Sequence, residues 1–461
     1  MNSSDFSSLN LSRELLNNLG SLGYKEMTDI QSLSLPVILA NKDLIGQGKT
    51  GSGKTAAFGL GLINKMDLNS FKPQSLVICP TRELAEQVAE EIRRLARVIN
   101  NVKVITLCGG APIGPQIGSL RHRTHVIVGT PGRIEEHLRK GTLDLDNINT
   151  LVLDEADRML DMGFLESIEK IVSNTPIERQ TLLFSATFPE EINTIAGSVM
   201  NRPIKVKSES MHEEKTIKQF FYETNSHDDR MTALRILLSK YKLESVLVFC
   251  NTKSDTKDVA NELRYHGHYA LAIHGDLDQR DRDQSLIRFT NKSASVLVAT
   301  DVAARGLDID SLDMVINYNV AHNPEVHIHR IGRTGRAGRV GIACTLYSDK
   351  EKYKIETLSS IVDNEELPDT LPSDNYLAKP ANKPAMTTIK IDGGKKQKLR
   401  PGDIVGGITA NGSIDGDKIG KIHVTNNWSY VAVSSDLAKD VLRKIKSDKL
   451  KGKAFRARIL S

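Results

Sequence analysis

Residues 44–55 read Leu-Ile-Gly-Gln-Gly-Lys-Thr-Gly-Ser-Gly-Lys-Thr, a short apolar run followed by the pattern GxxxxGKT and then by a helical stretch. Glycines in such a loop let backbone N–H groups close around phosphate oxygens, and the N-terminus of the following helix favours negative charge. We therefore predict that Lys54 reaches the β- and γ-phosphates of a nucleotide and that the Thr55 hydroxyl ligates Mg²⁺. The predicted phosphate-binding residues are Lys49, Thr50, Gly51, Ser52, Gly53, Lys54 and Thr55.

An acidic segment follows a second apolar run, since residues 151–153 are Leu-Val-Leu and residues 154–157 are Asp-Glu-Ala-Asp. A phosphate-binding loop needs an acid at the end of a neighbouring strand to hold the metal ion, and Asp154 supplies it. Glu155 is then the carboxylate that orients or deprotonates the attacking water. Taken alone, acids after a strand would more often form the first turn of a helix, and their pairing with residues 48–55 favours the catalytic interpretation.

Apolar runs alternate with helical patterns over most of the chain. Continuous apolar runs separated by helices predict buried parallel strands. We therefore expect an α/β protein whose first two domains, residues 1–207 and 208–363, each contain a parallel sheet. An amphipathic helix is predicted over residues 82–99, where apolar side chains recur every three or four residues. The predicted strands are residues 75–79, 125–128, 150–153, 181–184, 245–249, 269–273, 295–298, 314–318 and 341–347.

The remaining residues predict a linker and a small third domain. Four prolines and few large apolar side chains lie in residues 364–386, as is typical of a linker. Residues 387–461 have the order β-α-β-β-α-β of an RRM-like α/β sandwich, with a closing strand over residues 454–460. This domain carries 16 Lys and Arg against 7 Asp and Glu, whereas the rest of the chain carries 46 against 50. The basic balance indicates either a polyanion partner or a solvated basic surface.

Length and composition limit the function classes. The 461 residues allow two to four domains at about 100–200 residues each, and 39% apolar with 26% charged residues is a soluble globular balance. No apolar run approaches the roughly 18 residues of a membrane-spanning helix, and the first residues lack an export signal, so we expect a cytoplasmic protein. The four cysteines form no CxxC pair, which excludes a disulfide framework and a cysteine-based zinc site.

On these motifs the chain resembles a DEAD-box RNA helicase over residues 6–349, with two tandem RecA-like domains. Phe6 lies 25 residues before Gln31, and with Tyr24 and Thr28 these residues are similar to the family's Q motif. The resemblance implies that the aromatic ring stacks on adenine and that Gln31 binds its edge, which favours ATP. Met27 stands where the family more often has proline. Further matching segments are residues 80–84, 109–110, 130–133, 185–187, 248–253, 299–308 and 329–336, with Gln279 and Arg282.

The resemblance also implies roles for the remaining motif residues. Arg333 and Arg336 would act on the γ-phosphate as arginine fingers from the second domain, so that hydrolysis depends on domain closure. Gly306 and Asp308 would contact ATP, whereas Ser185, Thr187 and His329 would couple hydrolysis to strand separation. The implied RNA contacts are Arg82, Gly110, Thr130, Arg133, Asn251 and Thr300. Contacts of this kind to the RNA backbone carry no sequence information, so targeting must come from elsewhere.

The third domain extends the resemblance, because residues 391–403 and 417–421 are similar to the C-terminal domain of bacterial DbpA-type helicases. The resemblance implies a hairpin of large-subunit (23S) ribosomal RNA as the target, in pre-50S particles during ribosome assembly. The predicted sheet face is poor in aromatic side chains, with Trp428 and Tyr430 as the main ones, whereas such domains usually stack bases on aromatics. The predicted RNA-binding residues of this domain are therefore the basic loop residues Lys395, Lys396, Lys398 and Arg400.

We expect a monomeric, RNA-stimulated ATPase that uses ATP and Mg²⁺ to separate short RNA duplexes and has no obligate protein partner. The alternative is an ATP-gated RNA clamp or annealing chaperone in which hydrolysis only resets binding, because both functions need the same motifs. A third hypothesis, a DNA-translocating helicase, is disfavoured by the motif set.

Overall fold

The computed structural model describes residues 4–48, 51–188, 190–208, 217–304, 312–335, 340–359, 369–412 and 414–460. These residues form two compact units, of which the first ends at Ser208 and the second begins at Ile217. No helix among them is long and apolar enough to cross a lipid bilayer.

The first unit is a parallel sheet with the strand order β3-β4-β2-β5-β6-β1-β7. Its strands are β1 (Leu44–Gln47), β2 (Ser75–Ile78), β3 (Val104–Leu107), β4 (Val126–Gly129), β5 (Thr150–Asp154), β6 (Gln180–Ser185) and β7 (Ile204–Lys207). Its helices are α1 (Arg13–Ser21), α2 (Asp29–Leu39), α3 (Lys54–Asn64), α4 (Arg82–Leu95), α5 (Ile113–Leu120), α6 (Pro131–Arg139), α7 (Ala156–Asp161), α8 (Leu165–Val172) and α9 (Glu190–Val199). Successive side chains of a strand point to opposite faces, and Val77 accordingly joins one apolar core while Leu76 and Ile78 join the other.

The second unit begins with another parallel sheet, in the order β10-β11-β9-β12-β13-β8. Its strands are β8 (Ile217–Glu223), β9 (Val246–Cys250), β10 (Ala270–Ile273), β11 (Val296–Thr300), β12 (Met314–Asn317) and β13 (Gly341–Tyr347). Its helices are α10 (His227–Tyr241), α11 (Lys253–Tyr265), α12 (Gln279–Thr290), α13 (Asp301–Ala304), α14 (Pro324–Ile331) and α15 (Lys352–Ser359). The parallel strands of a sheet end at the same edge. In each of the two sheets, the residues that follow the strands therefore lie along one edge of that sheet.

The second unit also contains the C-terminal antiparallel sheet, in the order β15-β16-β14-β17. Its elements are β14 (Met386–Ile391), α16 (Pro401–Thr409), β15 (Ile419–Val424), β16 (Ser429–Ser434), α17 (Ala438–Ser447) and β17 (Ala457–Ile459). The predicted fold class is therefore confirmed: two RecA-like parallel-sheet domains are followed by an α/β sandwich with the predicted order of elements.

Two predicted elements are each four residues longer than the observed ones. The helix predicted over residues 82–99 ends at Leu95, because the side-chain amide of Asn18 binds the Leu95 carbonyl and Arg97 turns back to Asn18. The strand predicted over residues 454–460 shrinks to β17, since it pairs with residues 389–391 only. Part of the predicted linker packs on the second sheet, where the backbone N–H of Phe221 donates to the Asp369 carboxylate at 2.7 Å.

Candidate nucleotide and RNA site

β1 ends at Gln47 and α3 begins with Lys54, so the glycines of the phosphate-binding motif stand between this strand and this helix. Lys54 is 6% exposed, and its ammonium donates a hydrogen bond to the carbonyl of Gly48. Gly53 has a φ of +95°, and a Cβ at this position would overlap the side-chain nitrogen of Gln31. Glycine tolerates the positive φ and has no Cβ to overlap Gln31, which explains why position 53 is glycine.

The N-terminus of α2 holds the loop in place. The side chain of Gln31 accepts a hydrogen bond from the Thr28 N–H at 3.0 Å and donates one to the Gly53 carbonyl at 3.1 Å. The hydroxyl of Thr28 donates to the carbonyl of Ser52 at 2.7 Å. Gln31, predicted to bind the adenine edge, is thus positioned directly against the phosphate-binding loop, and Thr28 has a structural role there that the sequence did not indicate.

Asp154 ends β5 with a buried carboxylate whose Oδ1 atom has no hydrogen-bond partner among the described residues. Burial, together with the charge of Glu155, raises the pKa of Asp154 to about 7. Burial also disfavours the charged form of Lys54 and therefore lowers the pKa of its ammonium, although the charge of Asp154 acts in the opposite direction. Glu155 has a left-handed backbone, with a φ of +54°, and accepts a hydrogen bond from Arg158 at 2.7 Å.

These residues fit a nucleotide bound with Mg²⁺. The hydroxyl of Ser52, like Asp154 Oδ1, is buried without a hydrogen-bond partner in the described structure. Buried polar groups normally find partners, so the open Ser52 hydroxyl suits a phosphate oxygen, and the open carboxylate oxygen of Asp154 suits a cation or a hydrogen-bond donor. Mg²⁺ is usually held by one or two carboxylates with waters and phosphate oxygens, so Asp154 with Thr55 would suffice. No cluster of three His, Cys, Asp or Glu that could hold a metal ion occurs among the residues described.

The acidic segment is bonded to the segment after β6. The carboxylate of Asp157 accepts hydrogen bonds from the Thr187 backbone N–H at 3.0 Å and from the Thr187 hydroxyl at 2.9 Å. The hydroxyl of Ser185 donates to the Thr187 carbonyl at 2.7 Å. Burial alone would raise the pKa of Asp157, but the bonds from Thr187 and Ser185 hold it below its usual value. Ser185 and Thr187, both predicted to couple hydrolysis to RNA, therefore lie next to the predicted catalytic acids.

Phe6 lies in a short 3₁₀ turn ahead of α1 and is 4% exposed. Its ring meets that of Tyr24 edge-on, with centroids 6.2 Å apart. The Tyr24 hydroxyl donates to Glu91 on α4 at 2.5 Å, and burial raises the pKa of Tyr24 to about 12. Stacking of Phe6 on adenine stays a prediction.

Predicted RNA contacts of the first unit meet at the ends of β3 and β4. Arg82 begins α4, and its guanidinium lies so close to Gly110 that a Cβ there would overlap it. Gly110 has a φ of +71°, a backbone conformation that also favours glycine. Thr130 precedes α6, and its backbone N–H donates to the Leu107 carbonyl at 3.1 Å.

The Arg133 side chain bonds to other residues of the first unit. Its guanidinium donates to the carbonyl of Ala111 at 3.0 Å and to the side chain of Gln116 at 3.0 Å, and it pairs with Glu136 at 3.1 Å. Gln116 in turn donates to the Cys108 carbonyl at 3.0 Å. Arg133 therefore holds the segment after β3 in position. Gln116 was missed by the sequence analysis, since it belongs to no motif.

The second unit contains an arginine, Arg330, that lies within the motif at residues 329–336 but for which the sequence predicted no role. Arg330, on α14, is 1% exposed and forms two 2.7 Å bonds to the carboxylate of Asp301. It also donates to the side-chain oxygen of Asn251 at 2.8 Å, so this predicted RNA contact is held from within. Thr300, another predicted RNA contact, is 8% exposed, and its hydroxyl oxygen lies 3.4 Å from the Ala303 N–H.

Of the remaining predicted residues, Arg333 is 6% exposed and follows the C-terminus of α14, and His329 lies half-buried on that helix. The predicted site residues that lie outside the described part of the chain are Lys49, Thr50, Gly306, Asp308 and Arg336. Their roles stay predictions.

The C-terminal domain presents a basic loop to solvent. Lys395, Lys396, Lys398 and Arg400 are all exposed between β14 and α16. The ammonium of Lys451, also exposed, donates to the Lys398 carbonyl at 3.0 Å, so this side chain extends the same surface.

The sheet face of the C-terminal domain is covered by the preceding domain. Arg280 of α12 lies over the ring of Trp428 at 4.9 Å, and Lys390 of β14 lies 4.4 Å from the same ring. Tyr430 is 2% exposed. The two aromatic side chains predicted as candidates for base stacking are thus occupied by side chains of the chain itself.

Comparison with known families matches three parts of the chain. The DEAD/DEAH box helicase model matches residues 28–195, the helicase conserved C-terminal domain matches residues 229–338, and the DbpA RNA binding domain matches residues 388–459. The matched ranges contain the acidic segment at residues 154–157, the motif at residues 329–336 and the basic loop at residues 395–400, respectively.

Relatives extend over the full chain. The ATP-dependent RNA helicase DbpA of Escherichia coli (strain K12) is 51% identical over 456 residues, 99% of each chain. The protein of the same description from Bacillus subtilis (strain 168) is 36% identical and covers 98% of each chain. Among solved structures, S. cerevisiae Dbp5 bound to RNA and ADP BeF3 has a TM-score of 0.72 at 29% identity, over 80% of this chain and 96% of that one.

Proposed function

The chain belongs to the DEAD-box ATP-dependent RNA helicases of the DbpA type, and from this premise we propose that its C-terminal domain directs it to large-subunit (23S) ribosomal RNA. There, ATP hydrolysis separates short RNA duplexes in pre-50S particles during ribosome assembly. The exposed basic loop at residues 395–400, within the range of the DbpA RNA binding model, carries this proposal. The protein acts as a monomer in the cytoplasm, with ATP and Mg²⁺ as cofactors.

Hydrolysis uses the buried groups around the phosphate-binding loop. Lys54 positions the phosphates, and Asp154 with Thr55 would hold Mg²⁺, which when bound neutralises charge that develops on the phosphate oxygens. Glu155 takes a proton from the attacking water, and its 2.7 Å bond to Arg158 fixes the carboxylate in place. Arg333 supplies positive charge to the γ-phosphate.

Recognition of RNA is divided between the two units. Arg82 and the segments around Gly110 and Thr130 bind the RNA backbone, which sets affinity but not sequence. Target choice belongs to the basic loop of the C-terminal domain. The covered Trp428 ring supports this assignment, because Arg280 occupies the face on which a base would stack.

The hydrolysis assignment is tested by Glu155→Gln and Arg333→Ala. Each should lower RNA-stimulated phosphate release by about 10²-fold or more while RNA binding persists, since general-base and charge-stabilising groups each contribute on this order. Turnover like that of the wild type in either variant would contradict the assignment. Duplex displacement that proceeds equally well with a non-hydrolysable ATP analogue would favour an RNA clamp instead.

The target assignment is tested by replacing Lys395, Lys396 and Lys398 with Gln. Activation of phosphate release by a ribosomal RNA fragment should weaken about tenfold or more. The slope of log RNA affinity against log salt concentration should become less steep, by up to about one for each lost phosphate contact. The matched control replaces Lys439, Arg443 and Lys446 with Gln, which removes the same charge from the exposed face of α17. Equal effects of both triple variants would indicate general electrostatics rather than a specific surface.

A further inference from the structure

A cluster of polar contacts, here named the α4 clamp, joins the N-terminal segment of the first unit to the C-terminal end of α4. It connects the residues around Phe6 to a helix whose opposite end begins with Arg82. The members of the clamp are Asn18, Ser21, Tyr24, Glu91, Arg94 and Arg97.

One half of the clamp is centred on Asn18 of α1, which is 2% exposed. Its amide donates to the carbonyl of Leu95 at 2.8 Å, one of the carbonyls that a helix end leaves without an intrahelical partner. Its side-chain oxygen accepts from Arg97 at 2.7 Å, and Arg97 also donates to the Ser21 hydroxyl at 2.6 Å. The C-terminus of α4 is thus capped by a side chain from another helix.

The other half of the clamp is centred on Tyr24. Its hydroxyl donates to Glu91 at 2.5 Å and accepts from Arg94 at 3.1 Å, while Arg94 pairs with Glu91 at 3.0 Å. On its other side, the Tyr24 ring meets Phe6 edge-on. A displacement of Phe6 therefore bears directly on a side chain that is bonded to α4.

The helix between the two ends is suited to transmit such a displacement. Its 14 residues span about 21 Å, and one face is fully packed in the apolar core, with Ala85, Val88, Ala89, Ile92 and Leu95 buried. At its start, the Thr81 hydroxyl accepts from the Leu84 N–H at 3.3 Å, and Arg82 lies against Gly110. A rigid, packed element of this kind moves as one body.

We propose that the α4 clamp is a positioning device that couples nucleotide binding at Phe6 to RNA binding at Arg82. Adjustment of the Phe6 segment to a nucleotide shifts or stiffens α4 through Tyr24 and Asn18, and RNA held at Arg82 favours the same position. The coupling is reciprocal, since each ligand changes the affinity for the other by the same factor. The inference rests on the proposed function for the assignment of RNA to Arg82, and on the predicted stacking of Phe6 on the adenine of ATP.

The test compares three changes on one helix in the full-length protein: Glu91→Ala, Glu91→Gln and Glu90→Ala. Glu90 is the exposed neighbour of Glu91, so Glu90→Ala controls for charge and helix propensity. The quantity measured is the coupling factor, the ratio of the dissociation constants of a fluorescent ADP analogue without and with single-stranded oligouridylate. A second measurement, Tyr24→Phe alone and combined with Glu91→Ala, shows whether the two residues act together.

Glu91→Ala should bring the coupling factor about threefold to tenfold closer to unity, while nucleotide affinity without RNA stays within about twofold. Glu91→Gln keeps an acceptor for Tyr24 and should restore most of the coupling, and Glu90→Ala should leave it unchanged. Tyr24→Phe should reproduce the loss without adding to that of Glu91→Ala. An unchanged coupling factor in Glu91→Ala, or an equal loss of nucleotide affinity with and without RNA, would overturn the proposal.

Failure of the proposed function gives a different result. In that case Phe6→Ala would leave nucleotide affinity unchanged, or Arg82→Ala would leave RNA affinity unchanged, whatever the clamp variants do.

Discussion

Two buried polar clusters, one in each α/β domain, differ in how completely their groups are paired. Around Arg330, all three guanidinium nitrogens donate hydrogen bonds, to Asp301, Asn251, Asn317 and the Asn319 carbonyl. Around Asp154, by contrast, a carboxylate oxygen and the hydroxyl of Ser52 are buried without hydrogen-bond partners in the described structure.

The difference distinguishes residues that hold the fold together, here called the framework, from residues that bind a ligand, here called the site. A buried ion pair with every donor used needs nothing further, so the Arg330 cluster fixes the ends of β9, β11 and β12 relative to α14. A buried carboxylate with an open oxygen is costly in isolation and becomes favourable when a cation or donor arrives. Loss of a framework residue should therefore cost stability, whereas loss of a site residue should cost activity.

The largest expected effect is that of Arg330→Ala on stability. The change leaves Asp301 and two asparagine side chains without their partner, and breaking a buried pair in this way costs about 3–5 kcal/mol. Arg330→Lys should recover only part of the loss, because an ammonium cannot reproduce the two parallel bonds to Asp301. Urea unfolding gives the free energies.

Arg443→Ala provides the matched control, since Arg443 pairs with Asp440 while 80% exposed. Its effect should lie within about 0.5 kcal/mol, as for other exposed pairs. Equal losses in Arg330→Ala and Arg443→Ala would show that the Arg330 cluster is not a framework.

The second prediction concerns Asp154→Asn. Phosphate release should fall by about a hundredfold or more, because the carboxylate would hold the metal ion. The free energy of unfolding should stay unchanged or rise by up to about 1–2 kcal/mol, since a neutral amide replaces a buried carboxylate of which one oxygen has no hydrogen-bond partner in the described structure. The exposed Asp146→Asn is the control for both measurements. A marked loss of stability in Asp154→Asn would place this residue with the framework.

The same contrast explains what the sequence could predict. Lys54, Asp154 and Glu155 could be predicted as site residues because each lies in a contiguous motif, and the alternation of apolar runs with helices predicted both parallel sheets. The role of Arg330 was missed, since its partners Asp301 and Asn251 lie 29 and 79 residues away and become neighbours only through the strand order. Gln116 and Asn18 were missed for the same reason, as neither belongs to a recognisable local pattern.

The smallest predicted effect tests whether an open buried group always marks a ligand site. Lys390 is buried, and its ammonium has no hydrogen-bond partner in the described structure, but it lies over the rings of Trp428 and Tyr430, which attract a cation. Burial, together with the nearby Arg280 and Arg458, lowers the pKa of Lys390. Loss of the ammonium charge therefore removes the cost of burying it near two arginines, and it also removes its attraction to the two rings.

Lys390→Met should therefore change the free energy of unfolding by less than about 1 kcal/mol and leave activation by ribosomal RNA within about twofold. Urea unfolding and RNA-stimulated phosphate release measure the two quantities. If the variant instead loses activation by ribosomal RNA, Lys390 belongs with Asp154 among the ligand-binding groups, and the sheet face opens to RNA during the reaction. If both the free energy of unfolding and the activation stay within these limits, the aromatic rings stabilise the buried ammonium in place of hydrogen bonds. A buried polar atom without a hydrogen-bond partner then indicates a ligand site only where no aromatic ring faces it.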